Sequence, residues 1–178
     1  MSSRKLTPTS YLVLGLAAQR GPITSYELKQ HVQASIGYFW TFPHSQLYAE
    51  PERLVEAGLL ASEQEETGRR RRRFTITPKG RDAIASWLAE PLHAATEIRD
   101  LGLLKLFFGS LAEPGGVASL AKQQRDVHAQ RLAAFEKLRS EIGGADPHAR
   151  ATLEMGLRFE EMVIGFWSDV AHRAQGEA

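Results

Sequence analysis

Five consecutive arginines, Arg69, Arg70, Arg71, Arg72 and Arg73, stand directly before an alternating run, Phe74-Thr75-Ile76-Thr77, with Lys79 just beyond. A guanidinium presents a planar fork of donors matched to phosphate oxygens, so a cluster held in place is phosphate-binding chemistry. A block of like charge is otherwise a solvated, self-repelling loop. Position favours phosphate here. The block is internal, it adjoins strand-like sequence, and the acidic segment "SEQEE" facing it can neutralise part of its charge.

Other chemistry is poorly supplied. The chain has no cysteine, which excludes disulfides, thiolate metal sites and cysteine nucleophiles. His31, His44, His93, His128, His148 and His172 are scattered, with no pair at the H-E-x-x-H spacing. There is no G-x-S-x-G elbow and no glycine loop that could cradle a phosphate. No catalytic residue, metal site or cofactor is expected.

Two further sets could carry function. Ser45, Gln46 and Tyr48 open a helical stretch, where polar side chains can reach base edges in a major groove; each alone also reads as an ordinary exposed residue. Glu50 and Glu52 would be repelled by phosphates, so they are placed off such an interface or paired with an arginine. The aromatic cluster "YFWTF", with Phe39 and Trp40, reads as core and hinge packing or as a flat wall for an aromatic ligand. Trp87 and Trp167 carry the same two readings.

The elements that must position these residues follow from caps and periodicity. A first helix starts after Thr7 with proline at its first position and ends near Gly21-Pro22; Tyr11, Leu12, Leu14 and Leu16 supply its apolar surface. A second opens at "TSYE", where Thr24 and Glu27 have capping-box spacing, and runs to about Ala34. A third lies in "PHSQLYAEPERLVEAG", stopped by Gly58, with Leu47, Leu54 and Val55 inward and Ser45, Gln46, Ala49 and Arg53 outward. Then the period changes: "LLASEQEE" and "RRRFTIT" are short strands joined by a turn at Gly68. Three helices followed by a hairpin with a basic arm make a winged helix-turn-helix, and the hairpin would fix the arginines relative to the third helix.

A further helix begins in "PKGRDAIASWLAEP" and ends at Pro91, and the second half is helical almost throughout. Leu101, Leu104, Phe108 and Leu111 recur at spacings of three and four. The segment from Val117 to Ile142 carries a narrow stripe of Val117, Leu120, Val127, Phe135, Leu138 and Ile142, which suits a helix-helix seam. The last helix, about 148 to 173, has two apolar stripes, Leu153-Leu157-Ile164-Trp167 and Phe159-Met162-Phe166-Val170, and so needs two partners, one of them expected to be another chain. The fold expected is mainly α with a small β-hairpin: a winged helix-turn-helix at 1–91 and a helical dimerisation or effector domain at 92–178.

The 178 residues carry a net charge of +1, so total charge names no partner. Its distribution says more. Residues 1–90 hold 12 basic against 9 acidic residues, and residues 91–178 hold 10 against 12. "RKLTPTSYLVLGLAA" faintly resembles a secretory signal, but its apolar run is short and Thr7-Pro8 reads better as a helix start. No apolar run approaches the roughly 18 residues that span a bilayer. A soluble cytoplasmic protein with no membrane partner is expected.

The stretches "TSYLVLGLAAQRGPITSYELKQ", "SQLYAEPERLVEAGLL" and "RRRRFTITPKGRDAIASWL" together resemble the PadR family of transcriptional regulators. Leu47-Tyr48, Arg53-Leu54 and Gly58-Leu59 match the family's pattern around the third helix. The second half, especially "LLKLFFGSL", resembles the C-terminal helical domain of its longer subgroup, also described from virulence activators. The resemblance implies a homodimer that binds double-stranded DNA, a palindromic operator, usually as a repressor. In some members a phenolic acid or bulky hydrophobic drug releases it. On that reading the third helix enters the major groove through Ser45, Gln46 and Tyr48, while Thr24, Ser25, Tyr26 and Lys29 contact the backbone. The wing arginines and Lys79 grip phosphates or the minor groove, and Phe39, Trp40, Trp87 and Trp167 are the candidates for an effector. The alternatives are a winged-helix module for protein or RNA, and a small-molecule carrier or enzyme.

One departure from the family matters. It has a proline after the tyrosine and a leucine two residues later, where this chain has Ala49-Glu50-Pro51. Proline in a helix removes a backbone donor and clashes with the preceding turn. The third helix is therefore expected to begin late, to bend, or to present its first turn at an altered angle.

Overall fold

The computed structural model describes residues 5–33, 35–38, 40, 43–65, 70–141 and 146–176. Ala34, Phe39, Phe42, Gly68, Arg69 and Ile142, each part of an expectation above, lie outside them. The chain divides into two units, Met1–Ala94 and Ala95–Ala178.

Helix α1 (Pro8–Arg20) starts where Thr7 and Pro8 predict, and Thr7 forms a reciprocal capping box with Ser10. Its core face differs from the expected one. Val13, Leu14 and Ala17 are buried, whereas Tyr11, Leu12 and Leu16 are only half-buried. Helix α2 (Ser25–Gln33) has the box expected of Thr24 and Glu27: the Thr24 N–H donates to Glu27 Oε2 at 2.8 Å, and the Glu27 N–H donates to Thr24 Oγ1 at 3.2 Å.

Helix α3 (His44–Glu56) does not begin late; it runs on through Pro51. The pyrrolidine is fully buried. α3 ends in a Schellman motif. Gly58, at φ 70°, donates to the Val55 carbonyl, and Leu59 donates to that of Leu54. Leu54 and Leu59 share the core, which supplies the apolar contact such an ending usually carries.

Strands β1 (Leu60–Gln64) and β2 (Arg72–Ile76) are antiparallel, in register from Leu60 opposite Ile76 to Gln64 opposite Arg72. The hairpin expectation omitted a third participant. Ile23, between Pro22 and Thr24, exchanges both backbone hydrogen bonds with Phe74, at 3.0 and 2.9 Å. This bridge ties the entrance of α2 to the far edge of β2. Helix α4 (Pro78–Ala89) is capped by the Thr77 hydroxyl. Val13, Leu14, Ile23, Leu28, Leu54, Leu60, Phe74 and Ile76 form one core, so every element around the hairpin is anchored to the same apolar centre.

The second unit holds α5 (Leu101–Phe107), α6 (Gly116–Glu141) and α7 (Pro147–Gly176). Asp100 caps α5 through the Gly102 and Leu103 amides. α6 and α7 pack along a seam of heptad spacing: Ala121, His128 and Phe135 on one helix, Glu160, Val163, Trp167 and Val170 on the other. The buried residues of α7 thus mix the two expected stripes. Met162 and Phe166 are exposed, as are Leu101, Leu104, Phe108 and Leu111, whose regular spacing buries none of them here.

The seam has a polar middle that no short motif announced. Glu160 is fully buried, with Oε2 2.5 Å from His128 Nδ1 and Oε1 3.1 Å from Arg131 Nε, a separation too poorly aligned for a hydrogen bond. Arg131 is the cation beside this buried side chain.

Candidate nucleic-acid interface

The C-terminal half of α3, the loop into α2 and the arm of the hairpin are mutually braced, and the bracing is ionic as well as apolar. Arg72 on β2 reaches Glu52 on α3 at 2.8 Å and donates to Ser62 Oγ on β1 at 2.9 Å. Arg73 donates to Glu65 at 3.1 Å and to the Pro22 carbonyl at 3.1 Å. Two of the five arginines therefore hold the wing against α3 and against the loop that leads into α2. Arg70 and Arg71 are exposed and make no ion pair among the described residues. Arg70 adopts φ 47°, in the region that side chains rarely occupy.

Glu50 and Glu52 of α3 pair with arginines, one of the two placements open to them. Glu52 takes Arg72, and Glu50 takes Arg53. Arg53 does not face outward as its phase predicted. It is half-buried, and its Nη2 donates to Ser10 Oγ at 2.8 Å, linking α3 to the cap of α1. Burial pushes the Glu50 carboxyl up, but the hydrogen bonds from Arg53 and Ser10 outweigh it and hold the group below its ordinary value. The same pair raises Arg53. Glu27 is also lowered, chiefly by the Thr24 backbone N–H; burial opposes this, and Arg73 and Arg71 add to it.

Ser45, Gln46 and Tyr48 are exposed on the first turns of α3, beside Leu47, which is buried. Unlike α1 and α2, this helix has no side-chain cap at its start. Tyr26 is 59% exposed and accepts from Gln30, with Ser25 and Lys29 half-buried near it in sequence. Two other candidates are already engaged within the protein. Thr24 is buried, and its hydroxyl is consumed by Glu27. Lys79 donates to the Ala57 carbonyl at the C-terminal end of α3, beside the base of the hairpin, where its charge complements the helix dipole. That end is about 18–20 Å from Ser45 along the axis.

One contact had no signal in the sequence. Thr9 of α1 is buried, and its hydroxyl donates to Gln46 Oε1 at 3.0 Å across 37 residues of chain. Of the aromatic candidates, Trp40 is half-exposed and Trp87 stacks on Tyr11, with ring centroids 4.5 Å apart. Trp167 is fully buried in the second unit, and its indole N–H has no hydrogen-bond acceptor among the described residues. Among the described residues no histidine, aspartate and glutamate group could hold a metal, and no helix is long and apolar enough to cross a membrane.

The sequence model of the transcriptional regulator PadR-like family matches residues 13–86, and that described as virulence activator alpha C-term matches residues 98–173. A Mycobacterium tuberculosis protein named "Probable transcriptional regulator Rv1176c" is 30% identical over 171 residues, 85% of this chain and 90% of that protein. The negative transcriptional regulator PadR of Bacillus subtilis is 24% identical over 152 residues, 82% of this chain and 81% of that protein. Its crystal structure with operator DNA superposes with a TM-score of 0.83 at 20% identity, covering 93% of this chain and 98% of that one. Its complex with p-coumaric acid gives 0.79 at 19% identity over the same shares. The Vibrio cholerae virulence activator AphA gives 0.74 at 23% identity, over 96% of this chain and 99% of that one.

Proposed function

The chain belongs to the PadR-like family of transcriptional regulators, and on that footing we propose that it is a homodimeric repressor of a palindromic operator, released by an aromatic or hydrophobic small molecule. The observation that carries the DNA reading is the division of the arginines. Arg72 and Arg73 brace the wing against α3 and the α2 entrance, while Arg70 and Arg71 are left exposed beyond them. A rigid wing then grips phosphates at a set distance from the base edges met by Ser45, Gln46 and Tyr48. Ser25, Tyr26 and Lys29 follow the backbone, and residues 1–91 form the DNA-binding domain. Repression is supported by the name of the B. subtilis relative.

Residues 92–178 are the dimerisation and effector domain. Support for a dimer comes from the apolar side chains that the single chain leaves in solvent: Leu101, Leu104, Phe107, Phe108 and Leu111 of α5 and the turn after it, and Met155, Met162 and Phe166 of α7. Support for an effector comes from the p-coumaric acid complex of a relative. The protein so read works in the cytoplasm.

The test is fluorescence anisotropy on DNA from upstream of the protein's own coding sequence, against a scrambled duplex of equal length, from low to moderate salt. A preference of about a thousandfold or more that survives moderate salt is expected of a specific regulator. Equal, salt-fragile binding to that fragment and to every duplex recovered from a randomised pool overturns the reading.

A further inference from the structure

Gln46 is held at both ends. Its backbone N–H donates to the Pro43 carbonyl at 3.0 Å, and the following residue, Leu47, is buried. Its carboxamide oxygen accepts the Thr9 hydroxyl at 3.0 Å. Thr9 sits second in α1, is 7% exposed, and has no other acceptor among the described residues. Turning the carboxamide over would let one amide N–H donate to this hydroxyl but would leave the hydroxyl's own proton without an acceptor among the described residues.

We propose that Thr9 is a positioning residue that fixes the Gln46 carboxamide with its oxygen turned in toward α1, so that Gln46 meets a base edge with its amino group, as a donor. This rests on the reading that the first turn of α3 enters the major groove. A glutamine free to rotate can offer either end. One anchored by its oxygen offers Nε2, and the base that meets it must carry an acceptor there: N7 or O6 of guanine, O4 of thymine, or N7 of adenine. Cytosine presents only the N4 amino group to the groove, donor against donor, and is rejected. The constraint comes from α1, outside the two helices of the reading motif.

The test takes operators selected by the wild-type protein from duplexes with a randomised centre, then a panel with each base pair replaced in turn. Binding is measured for wild type, Thr9→Val, Thr9→Ala, Thr9→Ser and Gln46→Ala. Gln46→Ala is expected to lose discrimination at one base pair in each half-site. Thr9→Val and Thr9→Ala should lose it at that same pair, cytosine gaining at least ~5-fold relative to the preferred base. Affinity for unrelated duplex and melting temperature should hold, and Thr9→Ser should keep the wild-type profile. If Gln46→Ala changes the profile while neither Thr9→Val nor Thr9→Ala does, Thr9 does not position the amide. A profile that Gln46→Ala leaves unchanged removes Gln46 as a reader, and the proposal with it. A wild-type protein that selects no sequence overturns the DNA reading itself.

Discussion

Side chains of one type take different roles here because their neighbours differ. Arg72 and Arg73 each face a carboxylate, so a phosphate arriving at either must compete with Glu52 or Glu65. Exposed pairs of this kind contribute under about 1 kcal/mol, enough to bias a rotamer and little more. Neither Arg70 nor Arg71 makes an ion pair among the described residues, although the Glu27 carboxylate feels the Arg71 charge. The salt dependence of operator binding should separate the two kinds. Each phosphate neutralised contributes roughly 0.9 to the log-log slope, so Arg70→Ala or Arg71→Ala should flatten it by about 1.8 for a dimer. Arg72→Ala should leave the slope nearly unchanged, whereas Glu52→Gln, which frees the Arg72 guanidinium for a phosphate, should steepen it. Equal flattening by Arg71→Ala and Arg72→Ala, in titrations from low to moderate salt, would count against the division. The sequence showed the five arginines and the acidic strand opposite them, because charge runs are visible in one dimension. Which arginine meets which carboxylate depends on the β1–β2 register and on the approach of α3, and neither is a local property. Thr9 was invisible for the same reason, and so was the placement of Glu160 beside His128.

The elements were legible wherever a local signal decided them. Thr7-Pro8, Thr24-x-x-Glu27 and Gly58 each solve a backbone hydrogen-bonding problem within a few residues, and all three do so as their types predict. Pro51 misled because its penalty is local while its compensation is not. It leaves the helix without one donor, but its ring is buried in the core, and α3 continues to Glu56. Ile23 escaped notice because a single-residue bridge has no period. The stripe on α5 misled in another way, since regular spacing says that a face is apolar without saying what covers it. Two glycines test how strictly the α3–wing junction is built. At Gly58 a side chain would sit at φ 70° with no steric neighbour nearer than 4.0 Å, so Gly58→Ala should cost about 1–2 kcal/mol of conformational strain alone. At Gly80 an added Cβ would lie 2.2 Å from the Leu59 carbonyl and 2.8 Å from Ile76. Gly80→Ala must push α4 off the hairpin base, and should cost at least the upper end of the roughly 1–3 kcal/mol of an overpacked core. Urea unfolding of both variants checks the order; a Gly80→Ala protein more stable than Gly58→Ala would contradict the packing described.

For the whole molecule, the wings and the exposed apolar faces make one linked prediction. With two free arginines per wing, a monomer neutralises about two phosphates from the wing and a dimer about four, giving wing contributions to the slope of roughly −1.8 and −3.6. Two half-sites spaced one helical turn apart on DNA can be met together only if the chains are joined. Joining makes the second contact intramolecular, which raises affinity by roughly 10²–10⁴ without any new interaction with DNA. Met162 is 58% exposed on the side of α7 that carries Met155, whereas Phe166 beside it packs edge-on against Trp167. Met162→Asp should therefore leave each chain folded while putting a desolvated carboxylate into any contact between chains. Analytical ultracentrifugation should find it monomeric at concentrations where the wild type is a dimer. Its operator affinity should fall by at least a hundredfold, and the wing's share of the salt slope should halve, because one chain reaches one half-site. A variant that sediments as a monomer yet binds the full operator with unchanged affinity and slope would show that the apolar faces of α5 and α7 serve something other than DNA-competent pairing.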